Sequence, residues 1–548
     1  MASEKPMTET LERTETAEAR KVIPSRVADS RTIKVVQGSE AYNEALIAEP
    51  PSFFHKTSIL LFLCTLLGFF CQTMNGFDGS LFGGLTANKT FLKFFNGENN
   101  GIWAGLISSM YQIGGVCALP FVGPAIDTWG RRMGMFLGAV LIIIGAVITG
   151  TTISNHDQGQ FMGGRFLLGF GVSIASAAGP IYVVETSHPA FRGLATAYCN
   201  TFWFTGSILS SGAVRGGLNY GGNTSWQLPV WLQLLFPALI CMFCFVIPES
   251  PRWLYVHNKR TQATNMLAKW HGLGNPESAW VKLQLREYEE YLNMNGSDKR
   301  WWDYRPLFNK RSSIYRLGAN CCFAIFAQWA GNGSLTYFLP AVLDTAGYTA
   351  SITQANIQLG YACFQFFFAL IGARFVDRLG RRPLMLGAMG GASLVWVAVT
   401  VCTSIFAHSG QTNTAAAKAT VAWIYIFGAV FSFGITPLQA LYPVECLSFE
   451  MRAKGMAFSS LAVNAGGLLN QFAWPVSLKA IAWKTYIVFT IWCAIQTVVW
   501  YFFLPETRKR TLEELDKIFE ASNPVKESLK VHRLAISHEN QVVATEEA

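Results

Sequence analysis

Three short charged motifs each occur twice in this 548-residue chain, in the same order and 250 to 260 residues apart. Gly123-Pro-Ala-Ile-Asp127-Thr-Trp-Gly130-Arg131-Arg132 returns as Ala373-Arg-Phe-Val-Asp377-Arg378-Leu-Gly380-Arg381-Arg382. Glu185, followed by Arg192 and Gly193, returns as Glu445, followed by Arg452 and Gly455. Pro248-Glu249-Ser250-Pro251-Arg252 returns as Pro505-Glu506-Thr507-Arg508. Each copy follows a long apolar stretch. Three motifs sharing nearly one period point to duplication, and a duplicated chain of many spans is the usual build of a secondary transporter.

Half the residues are apolar (51%) and only 14% are charged, too few for the surface of a soluble protein of this length. Twelve stretches are long and apolar enough to cross a hydrocarbon core of about 30 Å. They run over 58–87, 102–122, 133–153, 160–183, 194–214 and 227–247, and then over 314–340, 355–375, 384–406, 419–442, 456–474 and 485–504. The expected organisation is a disordered tail at 1–55, a first bundle at 56–249, a helical linker at 250–312, a second bundle at 313–505 and a tail at 506–548. Glu4, Thr8, Glu9 and Glu12 stand where a cleavable signal would have its apolar core, so the first span is the expected targeting signal. Thr511-Leu-Glu-Glu514 reads as a capping box opening a short amphipathic helix.

Arg131/Arg132, Arg192, Arg252, Arg378/Arg381/Arg382, Arg452 and Arg508 all fall in alternate loops, which makes those loops and both termini cytoplasmic. The sequons at Asn88 and Asn223 fall on the other face, where glycosylation is expected. The net charge of +9 therefore reflects topology and gives no reason to expect a nucleic-acid partner. The twelve cysteines lie in or beside spans with no ligand-like spacing, so neither a metal site nor a disulfide scaffold is expected.

Charges inside the spans are few. Asn75-Gly76-Phe77-Asp78-Gly79-Ser-Leu-Phe-Gly83-Gly84 interrupts the first span, and Asp78 is the single carboxylate well inside any span. Arg165, in Gly163-Gly164-Arg165-Phe166, enters the fourth span from the same side of the membrane. Intramembrane charges are costly and usually pair or line a wet path. One reading is a static ion pair between two helices. The other, favoured here, is a switch: ionised Asp78 holds Arg165, and protonated Asp78 releases it. Linked to substrate binding, such a switch gives symport. The repeated acids and arginines at the cytoplasmic ends (Asp127, Glu185, Asp377 and Glu445 with Arg131, Arg132, Arg192, Arg381, Arg382 and Arg452) are expected to latch the two halves together on that side.

With these residues in view, the chain resembles a sugar porter of the major facilitator superfamily. The matching elements are Gly76-Phe77-Asp78, both Gly-Arg-Arg loops, Gly164-Arg165, Pro180-Ile-Tyr182-Val-Val-Glu185, Pro248-Glu-Ser-Pro-Arg252 and Pro505-Glu-Thr. Trp301-Trp-Asp-Tyr-Arg-Pro-Leu-Phe308, Gly331-Asn332-Gly333, Thr436-Pro437-Leu438-Gln439, Val463-Asn464-Ala465 and the tail Asn523–Lys530 are most similar to the fungal lactose permease and cellodextrin transporter branch. The resemblance implies an all-α membrane protein of 12 transmembrane helices in two pseudo-symmetric six-helix bundles. It also implies a central sugar site, alternating access, and proton coupling through the positions of Asp78 and Arg165.

Against the hexose-carrier pattern, the fifth-span glutamine becomes Asn200, and the seventh span keeps Gln328 with Asn332 moved by one. The tenth-span tryptophan aligns with Ala440, beside Gln439. The loss of that ring suits a substrate larger than one sugar. Sugar hydroxyls need amides that donate and accept, together with aromatic faces. Asn200, Gln328, Asn332, Gln439 and Asn464 supply the amides, with Asn75, Gln72 and Tyr337 as further candidates. About half of the set is expected to serve interhelical hydrogen bonds instead. The resulting expectation is a monomeric, proton-coupled importer of a β-linked disaccharide in a fungal plasma membrane, with no cofactor besides the coupling proton. A sugar sensor and a passive hexose carrier are the alternatives. An enzyme is not expected, because the chain has no phosphate-binding loop, nucleophile constellation or metal spacing.

Overall fold

The structure is a computed structural model, and it describes residues 45, 49–51, 54–152, 157–295, 305–448, 451–508, 512–530, 532–536 and 542–547. Most of the expected N-terminal tail and residues 301–304 lie outside the described residues. The first half comprises α1 (Lys56–Leu85), the short α2 (Lys89–Phe94), α3 (Gly101–Asp127), α4 (Arg131–Gly150), α5 (Gln158–Thr186) and α6 (Arg192–Gly217). Its sixth span is made of two pieces, α7 (Thr224–Leu232) and α8 (Leu235–Phe243). Helices α9 (Pro251–Val256), α10 (Arg260–Trp270) and α11 (Ala279–Asn295) form the linker. The second half comprises α12 (Arg311–Trp329), α13 (Asn332–Thr345), α14 (Ser351–Leu379), α15 (Arg381–His408), α16 (Thr414–Gly434), α17 (Thr436–Cys446), α18 (Arg452–Ile481) and α19 (Thr485–Phe503). Two tail helices follow, α20 (Leu512–Glu520) and α21 (Pro524–Ser528), and then an antiparallel hairpin of β1 (His532–Ile536) with β2 (Val542–Glu547).

Nine segments among the described residues are long and apolar enough to cross a membrane, and one of them, Phe458–Phe503, covers two spans. The fifth and seventh spans fall short for different reasons. Helix α6 carries Asn200, Thr201, Thr205, Ser207, Ser210 and Ser211, a polar content suited to the interior of a bundle. The seventh span is broken between α12 and α13 at Gly331, whose φ of +105° is left-handed. A Cβ at Gly331 would lie 2.5 Å from the Trp396 ring. The carbonyl freed at the break, Ala330 O, accepts the Trp396 indole N–H at 3.1 Å, so the exposed backbone is satisfied inside the protein. The tenth span breaks at Ile435 ahead of Pro437, dividing α16 from α17.

Lipid offers no hydrophobic push between helices, so close packing of small residues has to hold them. A Cβ at Gly76 of α1 would lie 1.8 Å from the Trp203 carbonyl of α6, and one at Gly206 of α6 would lie 1.8 Å from the Thr73 carbonyl of α1. Gly169 of α5 meets the Tyr111 carbonyl of α3 in the same way. Between halves, α3 packs on α18, α6 on α14 and α1 on α13. The second helix thus meets the eleventh and the fifth meets the eighth, as a two-fold relation requires. Polar contacts across the halves gather on the face away from the arginine loops: Asn99 Nδ2 to Asp344 Oδ2 at 2.5 Å, Arg215 Nε to Asn356 Oδ1 at 2.7 Å, and a Lys479–Glu98 ion pair. That face is closed.

On the arginine face the linker docks beneath α5. His271 donates from Nε2 to the Thr186 carbonyl (3.0 Å) at the end of α5, and its Nδ1 accepts from Gln284 (2.8 Å). His188 packs edge-on against His271 and Trp280, and Glu49 of the N-terminal segment accepts from Ser278 and from the Ala279 N–H at the start of α11. Burial pushes His271 down to about 3 and His188 down to about 4. On α12, Arg316 binds Asp516 of α20 at 2.5 Å and lies 4.4 Å over the Phe519 ring, which seats the amphipathic tail helix.

Two outcomes are expected. Gly206→Ala forces α1 and α6 apart and should cost on the order of 1–3 kcal/mol in detergent. Gly212→Ala, with nothing within 4 Å of its Cβ position, should not; equal thermal midpoints would refute the close-packing account. The histidine pair stays neutral in the docked state but protonates below about pH 6.5 when freed, so docking is at full strength above that pH and is lost as pH falls towards 4. Hydrogen exchange of residues 251–295, corrected for intrinsic rates, should therefore accelerate between pH 7.5 and 5, and a flat profile would exclude the pair as the cause.

Candidate transport site

Asp78 is fully buried on α1, and neither carboxylate oxygen has a hydrogen-bond partner among the described residues. Arg165, 3% exposed on α5, projects between two rings, 5.0 Å from the Phe82 centroid and 5.2 Å from that of Tyr111. Its Nε and Nη2 are also without hydrogen bonds. Arg165 lies within electrostatic reach of Asp78, Tyr111 and Tyr337, but no ion pair joins Asp78 to Arg165 in this state. The expected clasp is therefore open here, because the guanidinium has taken the aromatic faces in place of the carboxylate. Gln233, between α7 and α8, is 2% exposed and lies beside Asp78 without completing a hydrogen bond of ordinary geometry.

Tyr337 belongs to the second half and lies within electrostatic reach of Arg165. Its hydroxyl lies 3.6 Å from where a Gly79 Cβ would be, next to Asp78 in sequence. Gly83 lets the two halves approach at this level, since a Cβ there would lie 2.4 Å from the Thr336 carbonyl. Gln471 of α18 accepts from Ser108 Oγ of α3 at 2.9 Å, a further bond between the halves.

The candidate sugar amides divide by what already holds them. Asn200 Nδ2 donates to the Thr436 carbonyl at 3.1 Å, across the halves and at the break in the tenth span. Asn332 Oδ1 accepts from Gln365 Nε2 at 3.0 Å. Asn464 Nδ2 is spent on Ser460 O of its own helix at 2.9 Å, and its Oδ1 lies 3.1 Å from the Gly115 Cβ position at the α3–α18 contact. Asn75 Oδ1 accepts from the Tyr111 hydroxyl at 3.4 Å, and Gln72 donates to Ser176 O at 3.1 Å. Gln328 and Gln439 are half-buried, with amides unpartnered among the described residues. The side chain of Ala440 lies outside the described residues. Sequence reasoning passed over Gln233, Gln365, Asn470 and Gln471, and each carries the signal used for the others, an amide in an apolar span.

The arginine-rich motifs build the same network twice. Arg131 grips Glu185 bidentately (2.8 and 3.0 Å) and reaches Asp127 at 3.1 Å. In the second half Arg381 grips Glu445 (3.0 and 2.7 Å). Glu506 accepts the N–H groups of Arg381 and Arg382 at the start of α15, and Glu249 takes those of Arg132 (3.4 Å) and Ser250. A carboxylate at a helix N-terminus meets both the free N–H groups and the dipole. Gly130 and Gly380 have φ of +101° and +99°, and a Cβ at either would lie within 3 Å of that carboxylate (2.6 and 2.9 Å). Gly123 has open space around it.

Among the described residues these ion pairs lie within one half each, in a state closed on the opposite face. The bidentate forks saturate Glu185 and Glu445 locally, with Ser250 and Thr507 hydroxyls adding further bonds. Arg192 is not the partner of Glu185, and its buried Nε makes no hydrogen bond. The side chains of Asp377 and Arg452 lie outside the described residues. One correction concerns Asn88. It is 2% exposed, caps α2 by accepting from Thr90 N and donates to Ser225, so its amide is not available to a glycan in this fold. Asn223 is exposed.

Comparison with known proteins places this geometry. The Sugar (and other) transporter family matches residues 64–519. The MFS-type transporter oryC of Aspergillus oryzae is 28% identical over 466 residues, covering 83% of this chain and 84% of that protein. A high-affinity glucose transporter of Kluyveromyces lactis is 27% identical over 473 residues, 82% and 83% of the two chains. The proton:xylose symporter XylE shares the fold, with a TM-score of 0.69 at 19% identity over 85% of this chain and all of that one. A family match across most of the chain, on a fold of two six-helix halves, shows that the protein belongs to the sugar transporter family of the major facilitator superfamily and is a transporter, not an enzyme.

Proposed function

We propose that the protein is a proton-coupled sugar symporter in which Asp78 carries the proton and Arg165 reads its charge state. The observation that carries this reading is a fully buried carboxylate and a nearly buried guanidinium within electrostatic reach of each other, with no bond between them. An ionised Asp78 left without a partner costs several kcal/mol inside a membrane, so this arrangement suits the neutral acid. On losing its proton, Asp78 would draw Arg165 away from Phe82 and Tyr111. Tyr337 would transmit that movement to the second half. The closed contacts at Asn99–Asp344 and Lys479–Glu98 then lie on the outer face of a plasma-membrane carrier with cytoplasmic termini. The Arg131–Glu185 and Arg381–Glu445 networks hold each half rigid at the inner gate as the halves rock.

For substrate, we infer a β-linked disaccharide of the lactose or cellobiose type. The support is Ala440, a small residue next in sequence to Gln439, whose amide is unpartnered among the described residues. A hexose is the second reading, favoured by relatives whose names are high-affinity glucose transporter.

Uptake of labelled lactose, cellobiose and glucose by yeast lacking its own carriers, with external pH followed, tests both parts. Alkalinisation with the disaccharides alone is expected; sugar entry without a proton signal would make the protein a uniporter, and neither flux nor pH change would favour a sensor. Asp78→Asn should abolish uphill accumulation while exchange of sugar across the membrane continues, and unimpaired accumulation would remove Asp78 as the carrier. Ala440→Trp should raise KM for disaccharides about tenfold more than for glucose, the scale of a steric mismatch of 1–2 kcal/mol; parallel changes would remove Ala440 from the size argument.

A further inference from the structure

Trp203 follows Asn200 by three residues on α6, so the two side chains rise from one face of the helix, a turn apart. The contact of its carbonyl with Gly76 fixes where the indole starts. The ring then reaches over Gly79: its Cζ2 lies 3.7 Å from where a Gly79 Cβ would be, and the Tyr337 hydroxyl lies 3.6 Å from the same point. Phe204 braces the indole edge-on, with centroids 5.3 Å apart at 89°. Trp203 is half-buried, and its indole N–H has no hydrogen-bond partner among the described residues. Two aromatic side chains, one from each half, therefore meet above a residue with no side chain, one position from Asp78.

We propose that Trp203 and Tyr337 form an aromatic slot over Gly79 that grips one pyranose ring of the substrate, with Trp203 as a specificity-determining residue. The inference rests on the sugar-transport reading and deepens it. A pyranose with equatorial hydroxyls has flat C–H faces, which stack on an indole, and an edge of hydroxyls, which needs polar partners. Trp203 offers both a face and an unused N–H, Tyr337 offers a hydroxyl, and Asn200 stands one turn away. Galactose and glucose rings differ in one axial hydroxyl, so the slot discriminates among rings by which face stays free of oxygen. Because one wall belongs to each half, a ring in the slot bridges α6 to α13 beside the proton site.

The test is uptake kinetics of the full-length protein with labelled glucose, xylose, lactose and cellobiose, normalised to surface expression. Trp203→Ala should raise KM about tenfold for every sugar the wild type carries, the scale of one lost aromatic contact. Trp203→Phe keeps a stacking face without the N–H and should fall between. Gly79→Ala adds a Cβ at ordinary contact distance from the Trp203 ring and the Tyr337 hydroxyl and favours the helix, so it folds; it fills the slot floor and should also raise KM. Unchanged KM in both Gly79→Ala and Trp203→Phe, or a change confined to Vmax, overturns the slot even if Trp203→Ala misfolds. A wild type that moves none of these sugars overturns the transport reading instead, which separates the two failures.

Discussion

Backbone-to-backbone contact at glycine holds this protein together. In lipid, apolar side chains gain nothing by leaving their surroundings, so helices associate only where they fit closely. Gly76 and Gly206 bring α1 and α6 into reciprocal contact, and Gly114 and Gly169 do the same for α3 and α5. Everything polar in the interior follows from that proximity. Asp78 is fully buried, and because α5 is pressed on α3, Arg165 lies against Tyr111. The same glycine that admits a neighbouring backbone in one place leaves open space in another, as Gly79 does beneath Trp203 and Tyr337.

The two halves are each braced at one end and joined at the other. On the arginine face, Glu249 and Glu506 cap the helices that begin at Arg131 and Arg381, and bidentate arginine–glutamate pairs tie those helix starts to α5 and α17. On the opposite face the contacts run between halves. A molecule built this way has rigid units and a seam, which is the mechanical requirement for exposing a central site to alternate sides. The broken seventh and tenth spans sit along that seam. At the seventh-span break Trp396 takes the Ala330 carbonyl, and at the tenth Asn200 donates to the Thr436 carbonyl from the other half.

Repetition and rarity made much of this legible. Twelve apolar spans, the duplicated motifs and the family resemblance led to a two-bundle transporter, because the membrane permits few other folds for such a pattern. Asp78 and Arg165 stood out since charge is scarce in spans. The local pairing of the arginine motifs was not legible, because Arg131 reaches Glu185 from the start of a neighbouring helix. The burial of Asn88 was hidden for the same reason, since Ser225 comes from 137 residues away.

The sequence by itself determined the class of fold, the charged residues that could serve transport and the supply of amides, all of which follow from composition along the chain and from motif identity. Only the tertiary structure decided which groups are partnered. It occupied Asn332 and Asn464 with neighbours, left Gln328 and Gln439 free, opened the Asp78–Arg165 clasp, and raised Trp203 and Tyr337 over the same glycine. Whether a polar group is free or satisfied depends on atoms within about 3.5 Å, and in a helical bundle those belong to helices that are distant in sequence.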